Sequence, residues 1–384
     1  MTCATSAATT PRTLRASDLA ASVRSWEAVI EIARGHAVLP LVHRYLSREF
    51  PSVVPTEAMK QLRTQWQMIT LYNRHLTAEL VRLTGLLKAA GIAAVAFKGP
   101  VLAAMAYGSI DMRQFVDLDI LVRQTDLPRI AEILSAERYT SPHTRREGLA
   151  TGYFQEYEDA FFAAGGMGAI DVHWKITPRS FRFAPDEESF WRRARAVELE
   201  FGSVIAIAPE DLLLFICVHA AKHGWVQLGS ICDVAETIRA RPAIDLMAML
   251  DEATTLGSRR IFLTGIYLAH ELVGAPIPEG IVAIARNDRN VRALATRIAS
   301  QLFGAGSDRA TDFDPWTVPI RSIEGPRARI HYVVRRMLAP TMGDYELIRL
   351  PKPLFPLYWV IRPFRMAVQY GPRLLRGSAD SSNA

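Results

Sequence analysis

The sequence predicts an α+β protein, a mixed sheet with N-terminal helices before it and a C-terminal helical domain after it. Three observations lead there. Leucines repeat at three- and four-residue steps from Leu62 to Leu87, strict alternation sets in around residues 114–122 and 169–174, and helical texture returns from Pro209 to about Gly304. With 384 residues, 49% hydrophobic and 22% charged, the chain suffices for two or three domains and is excluded from wholesale disorder. The expected division is a frayed tail over 1–14, a helical region over 15–91, a sheet core over 92–208, a helical domain over 209–306 and a Pro/Arg/aromatic-rich arm over 307–384.

In chain order, Leu19, Val23, Trp26, Ile30 and Ile32 fall near a 3.6-residue period and open the helical region. Thr56 suits an N-cap for one long amphipathic helix carrying Leu62, Trp66, Ile69, Leu76, Leu80, Leu83 and Leu87, closed by Gly91. A short apolar run, Ala93 to Phe97, precedes the break at Gly99 and Pro100, and a helix is expected from Val101 to Tyr107. The strand from Gln114 to Val122 puts Val116, Leu118, Ile120 and Val122 on one face, Asp117 and Asp119 on the other. A helix over Leu127 to Ala136 comes next, then strands over Phe154 to Ala163 and Ala169 to Trp174 around the turn at Gly165 and Gly166. Pro209 suits a helix N1 position with Glu210 and Asp211 in the first turn, and Gly257, Gly274, Pro276, Pro278 and Gly304 divide the helical domain into several helices. Beyond Asp308 the one helical stretch expected is Ala328 to Leu338.

Charge and cysteines narrow the class. A net charge of +6 over this length gives no footprint of a dedicated nucleic-acid binder. From Leu347 to Gly377, however, there is no acid, while Arg349, Lys352, Arg362, Arg365, Arg373 and Arg376 lie among aromatics. Cys3, Cys217 and Cys232 match neither a disulfide framework nor a zinc knuckle, which suits a reducing compartment. The first fifteen residues lack the apolar core of a secretory signal, and no run reaches the ~18 apolar residues of a spanning helix. A cytoplasmic protein is expected.

The chemistry concentrates in Asp117-Leu118-Asp119. Residues two apart on a strand lie ~7 Å apart on one face, so both carboxylates are able to converge on divalent ions spaced ~4 Å. A solvent-facing acidic strand is the plain alternative. In Ile170-Asp171-Val172-His173-Trp174 the same alternation presents Asp171 beside His173. Three strand-borne aspartates facing one cleft suit metal-assisted phosphoryl or nucleotidyl transfer, two serving the ion that accompanies a triphosphate and the third the ion that activates an acceptor hydroxyl. Three close carboxylates also repel without metal, so Asp119→Asn is expected to melt higher than wild type in chelator. Gly108-Ser109, between a helix and the acid strand, lets main-chain amides approach phosphate oxygens.

The pattern Tyr107-Gly108-Ser109, seven residues, then Asp117-Leu118-Asp119-Ile120 resembles the signature of the DNA polymerase beta-type nucleotidyltransferase superfamily, with Asp171 matching its third carboxylate. Phe97-Lys98-Gly99-Pro100, Arg113, Ile170 to Trp174, and His219 through Lys222, His223 and Trp225 to Asp233 resemble more narrowly the bacterial proteins called uncharacterised nucleotidyltransferases. The resemblance runs over most of 15–370 and is densest from 93 to 235. It implies a polymerase beta-like palm as the sheet core, magnesium dependence with two ions, an NTP as co-substrate, and transfer of a nucleoside monophosphate. It names no acceptor; a small molecule, a sugar, or a peptide or protein side chain fits, as in natural-product or polysaccharide tailoring. A non-catalytic nucleotide-binding regulatory or toxin-antitoxin type module is the alternative, and the intact acid triad argues against it.

Lys98, at the end of the first sheet strand, is a candidate to neutralise a phosphate or position the acceptor. His219, Lys222 and His223 share one helix face at i, i+3 and i+4. That face admits a zinc pair lacking the glutamate of HExxH, a triphosphate contact through Lys222 with His173, His219, His223 and Asp233 supporting the cleft, or plain packing. The C-terminal arm suits weak contact with an anionic membrane surface, or packing on the protein's own helices with arginine stems over apolar surface.

Overall fold

A computed structural model of the chain describes residues 18–141, 157–166, 168–178, 181, 183, 186–304 and 317–368. The tail over 1–14, residues 154–156 of the expected strand, and the end of the arm lie outside the described residues. Within the helical region before the sheet stand two short helices, α1 (Trp26–Gly35) and α2 (Leu39–Glu49), and α3 (Thr56–Ala89) comes after them. Pro55, extended at φ −54° and ψ 141°, is the N-cap of α3, so Thr56 opens the helix rather than capping it. Ala58 and Leu62 of α3 enter the core built mainly from the helical regions, whereas Leu76, Leu80, Leu83 and Leu87 enter the core of the sheet. One helix therefore belongs to both cores.

The sheet begins with β1 (Ala94–Ala96), and α4 (Gly99–Leu102) continues into a wide π turn over Ala103–Tyr107. Next come β2 (Asp117–Val122), α5 (Leu127–Ala136), β3 (Tyr139–Thr140), β4 (Glu158–Ala163) and β5 (Ala169–His173). Then α6 (Glu187–Arg193) leads to a hairpin of β6 (Arg195–Leu199) and β7 (Gly202–Ala206). The order is β3-β4-β5-β2-β1-β7-β6. β2 pairs parallel with β5 and β1 parallel with β7, and the remaining pairings are antiparallel. The acid strand starts at Asp117, not Gln114: Val116, expected on the buried face, precedes the strand and is 61% exposed. From Leu118 to Val122 every residue is buried, as befits a strand flanked on both sides.

After the sheet come the helices α7 (Pro209–Lys222), α8 (Leu228–Ala240), α9 (Leu246–Thr255), α10 (Arg259–Val273), α11 (Glu279–Asn287) and α12 (Arg289–Phe303). The arm is more helical than its sequence suggests. It contains α13 (Thr317–Ser322), α14 (Pro326–Leu338), α15 (Met342–Leu347), a 3₁₀ segment over Lys352–Leu357, and α16 over 358–368. Helices this short form only when tertiary contacts hold them. Here the hold is the buried Asp344, which closes a capping box with Thr341 and lies 2.7 Å from Arg365 Nε and 3.5 Å from Arg362 Nη1.

Candidate active site

The parallel register of β2 and β5 sets Asp119 opposite Asp171 and Leu121 opposite His173. The period of two then brings Asp117, Asp119, Asp171 and His173 to one face. One ligand atom each from Asp119, Asp171 and His173 lies within 4.8 Å of the other two, the one such group of three or more His, Cys, Asp or Glu side chains among the described residues. Asp117 and Asp171 are half-buried, but Asp119 is only 2% exposed, so the site has one deep carboxylate and two shallower ones. Gly99 lets the start of α4 lie close against β2: at φ +49°, a Cβ there would stand 3.1 Å from the Asp117 carbonyl.

Lys98 supplies the compensation that a buried carboxylate requires. Its Nζ is 2.7 Å from Asp119 Oδ1, and His173 Nε2 approaches the same oxygen at 3.1 Å. Burial pushes the Asp119 carboxyl upward, but Lys98 and the hydrogen bond from His173 prevail and hold it below the ordinary carboxylate range. Burial likewise works against the Lys98 ammonium, and Asp119 and Asp117 overcome it. The cost of crowding falls on the other two acids. Burial first and Asp119 second raise Asp117, and the same causes push Asp171 up to about 7. The expectation that Asp119→Asn relieves repulsion is therefore corrected: the strained charges are Asp171 and Asp117, while Asp119 is a paired one. Its second oxygen, Oδ2, is buried without a hydrogen-bond partner.

The Gly108-Ser109 turn is fixed from two sides. Gly108 sits at φ +69°, a left-handed conformation that glycine adopts freely, and Ser109 Oγ accepts from the Asp111 amide, capping a 3₁₀ turn over Ile110–Met112. From α3, buried Asn73 donates to the Ile110 and Arg113 carbonyls at 2.6 and 2.7 Å, and Trp66 Nε1 donates to the Asp111 carbonyl at 3.1 Å. From α8, Asp233 accepts a forked pair of bonds from Arg113 at 2.9 and 3.0 Å and one from Tyr107 at 2.8 Å. Asp233 thus holds Arg113 and not a basic group of α7. Asp233→Asn should strand a buried guanidinium, costing about 3 kcal/mol. Thermal unfolding is expected to show a fall of roughly 6–12 °C at about 2–4 °C per kcal/mol; an unchanged midpoint would show that this pair carries no load.

The basic end of α7 borders the carboxylates. Lys222 Nζ donates to Tyr157 OH at 3.1 Å and stands 5.0 Å from that ring's centroid. Burial lowers its pKa against the pull of Glu158, Asp119 and Asp171, with Lys98 adding to the fall. Burial also drives His219 well down, helped by Lys98, and His223 to about 4, so both imidazoles are neutral at pH 7. Their rings lie 4.6 Å apart, and no described His, Cys, Asp or Glu completes a metal set with them. Asn73, Tyr157 and Glu158, whose Oε2 is 3.3 Å from His173 Nδ1, escape sequence reasoning. The one signal was an asparagine on a leucine stripe, at Ile69, Asn73, Leu76 and Leu80.

A mixed sheet presenting Asp119, Asp171 and His173 as one ligand group beside a second strand aspartate fits a metal-binding catalytic site. The family model described as "uncharacterised nucleotidyltransferase" matches residues 22–274, two thirds of the chain, and the protein belongs to that family, which makes its class a transferase. Its substrate is accordingly a nucleotide. No curated protein matches the chain. Both described cysteines, Cys217 and Cys232, are free and buried, and no described helix is long and apolar enough to cross a membrane.

Proposed function

We propose that the protein is a magnesium-dependent enzyme that moves a nucleoside monophosphate from a nucleoside triphosphate to a hydroxyl of a small-molecule, sugar, or peptide or protein acceptor. The observation that carries this reading is Asp119, a carboxylate held ionised in the interior yet left with one oxygen unpartnered beside Asp171. A buried carboxylate oxygen without a donor is costly, and a hard divalent cation is the natural group to satisfy it. Asp117, Asp119 and Asp171 would hold two magnesium ions. Bound there, the ions supply charge neutralisation at the reacting phosphate and its leaving oxygen.

The chain's own groups would do the rest. His173 orients the Asp119 carboxylate. Asp171, pushed up by burial and by Asp119, is the acid whose charge a bound cation would most relieve, on the side of the set where the acceptor hydroxyl would be activated. Main-chain amides of Gly108 and Ser109 would meet the triphosphate, and Lys98 and Lys222 would offer it compact positive charge. His219 and His223, being neutral, contribute hydrogen bonds and packing rather than charge.

Magnesium together with the preferred triphosphate should raise the melting temperature through binding to the folded state alone, by about 2.7 kcal/mol of stability at a hundredfold excess over Kd. Triphosphate labelled at the α-phosphorus should then pass its label to an acceptor and release pyrophosphate. A melting curve indifferent to magnesium and to all four triphosphates, with no label transfer, overturns the reading.

A further inference from the structure

The final helix of the arm is built inside out. On α16 the charged residues turn inward: Arg362 is buried, donating to Thr341 Oγ1 at 2.9 Å, and Arg365 reaches Asp344. The outward stripe at i, i+4 and i+8 is Val360, Phe364 and Val368, exposed by 58, 71 and 78%. On α14 Ile330, Val334 and Met337 are exposed at i, i+4 and i+7 beside exposed Arg327 and Arg336, and Leu347, Leu354 and Leu357 between the two helices and Trp359 at the start of α16 add apolar surface. Of the twenty-two large apolar residues exposed in the described chain, eleven lie between Ile330 and Val368, a segment of 39 residues. Such a concentration marks an interaction surface rather than scatter.

We propose that this face docks on an anionic lipid surface. Charge selects the occupant. From Leu347 to Gly377 the sequence holds no acid, and Arg349 and Lys352 stand exposed beside Leu347 and Leu354. A second copy meeting this face about a twofold axis would set a net-basic surface against itself, with Glu346 its one exposed acid between Ile330 and Val368. The chain beyond Val368 brings Arg373 and Arg376 before its first acid, adding charge of the same sign. A bilayer answers both demands: acyl chains take the apolar stripe, and headgroup phosphates meet the basic residues. Trp359 is of the type that settles at that boundary. No described helix is long and apolar enough to span, so the contact is along the surface. Such docking would bring the catalytic site to acceptors carried at the membrane.

Flotation of the full chain with vesicles tests this. Phosphatidylcholine vesicles containing 30% phosphatidylglycerol should bind at least tenfold better than phosphatidylcholine alone, and the preference should fade at high salt. Phe364→Glu should abolish flotation, and Arg349→Glu or Lys352→Glu should each weaken it about fivefold or more. None of the three touches the carboxylate site, so magnesium-dependent nucleotide binding should persist and report an intact fold; Val360→Ser, a milder change, guards against misfolding of the charged variant. Absent binding to anionic vesicles, or equal binding by Phe364→Glu, overturns the proposal. Concentration-dependent dimers in light scattering that Phe364→Glu dissolves would assign the face to a second copy instead.

Discussion

Asp117→Asn is expected to reduce nucleotidyl transfer by about a thousandfold or more, roughly 4 kcal/mol of lost transition-state stabilisation, while leaving the fold at least as stable as wild type in chelator. Asp117 sits at the mouth of β2, half-buried, with its carboxyl raised by burial and by Asp119, so its neutralisation removes an ion ligand without orphaning a partner. This separates it from Asp119, whose loss also strips Lys98 of its counter-charge. Label released from an α-labelled triphosphate measures the first effect and a melting curve the second. Turnover within tenfold of wild type would show that Asp117 is no ligand.

Two neighbouring aspartates should respond in opposite senses to the same chemical change. In chelator, Asp119→Asn should lower stability by about 3 kcal/mol, because it leaves the buried Lys98 ammonium without its partner. Asp171→Asn should raise it, since that carboxyl is destabilised by burial and by Asp119. The pH dependence comes from the sign of the shift. Asp171 is raised from an unfolded value near 4 to about 7, so its contribution to stability is fully present below pH ~4 and is lost as pH rises through about 7. Wild type in chelator should therefore weaken between those limits, and Asp171→Asn should flatten that decline. Thermal melts of both variants from pH 5 to 8 decide it; parallel shifts in one direction would contradict the division between a paired and a strained acid.

Much of the site was legible because alternation is local. Asp117 with Asp119, and Asp171 with His173, could be placed on common faces from period two alone, and the register of β2 on β5 then brought the two pairs together. What alternation does not encode is partnership across the chain. Lys98 reads as a strand-end lysine until the sheet closes and sets it on Asp119, and Arg113 finds Asp233 only once α8 packs on the turn. The β6–β7 hairpin was missed although Val197, Leu199, Val204 and Ala206 alternate around Gly202, because β6 is an edge strand with only intermediate or exposed residues, whose pattern tertiary pairing completes. In the arm the expected helix over Ala328 to Leu338 is there as α14, whereas α13, α15 and α16 were missed for a related reason: they are short or weak in propensity, and tertiary contacts such as those of the buried Asp344 with Arg362 and Arg365 hold α15 and α16 in place.

Helix α3 touches the helical core through Leu62, the sheet's core through Leu76 to Leu87, and the turn after Gly108-Ser109 through Asn73 between them. The catalytic sheet is therefore not a cassette that evolution or an engineer can lift out at residue 92. A fragment cut there would bare the underside of its own sheet and release the turn. Sequence drift along the inner stripe of α3 is therefore tied to the carboxylate sheet at a distance, and so is drift on α10, whose Gly265 lies close against Trp225 and against Cys217 of α7, the helix that carries Lys222.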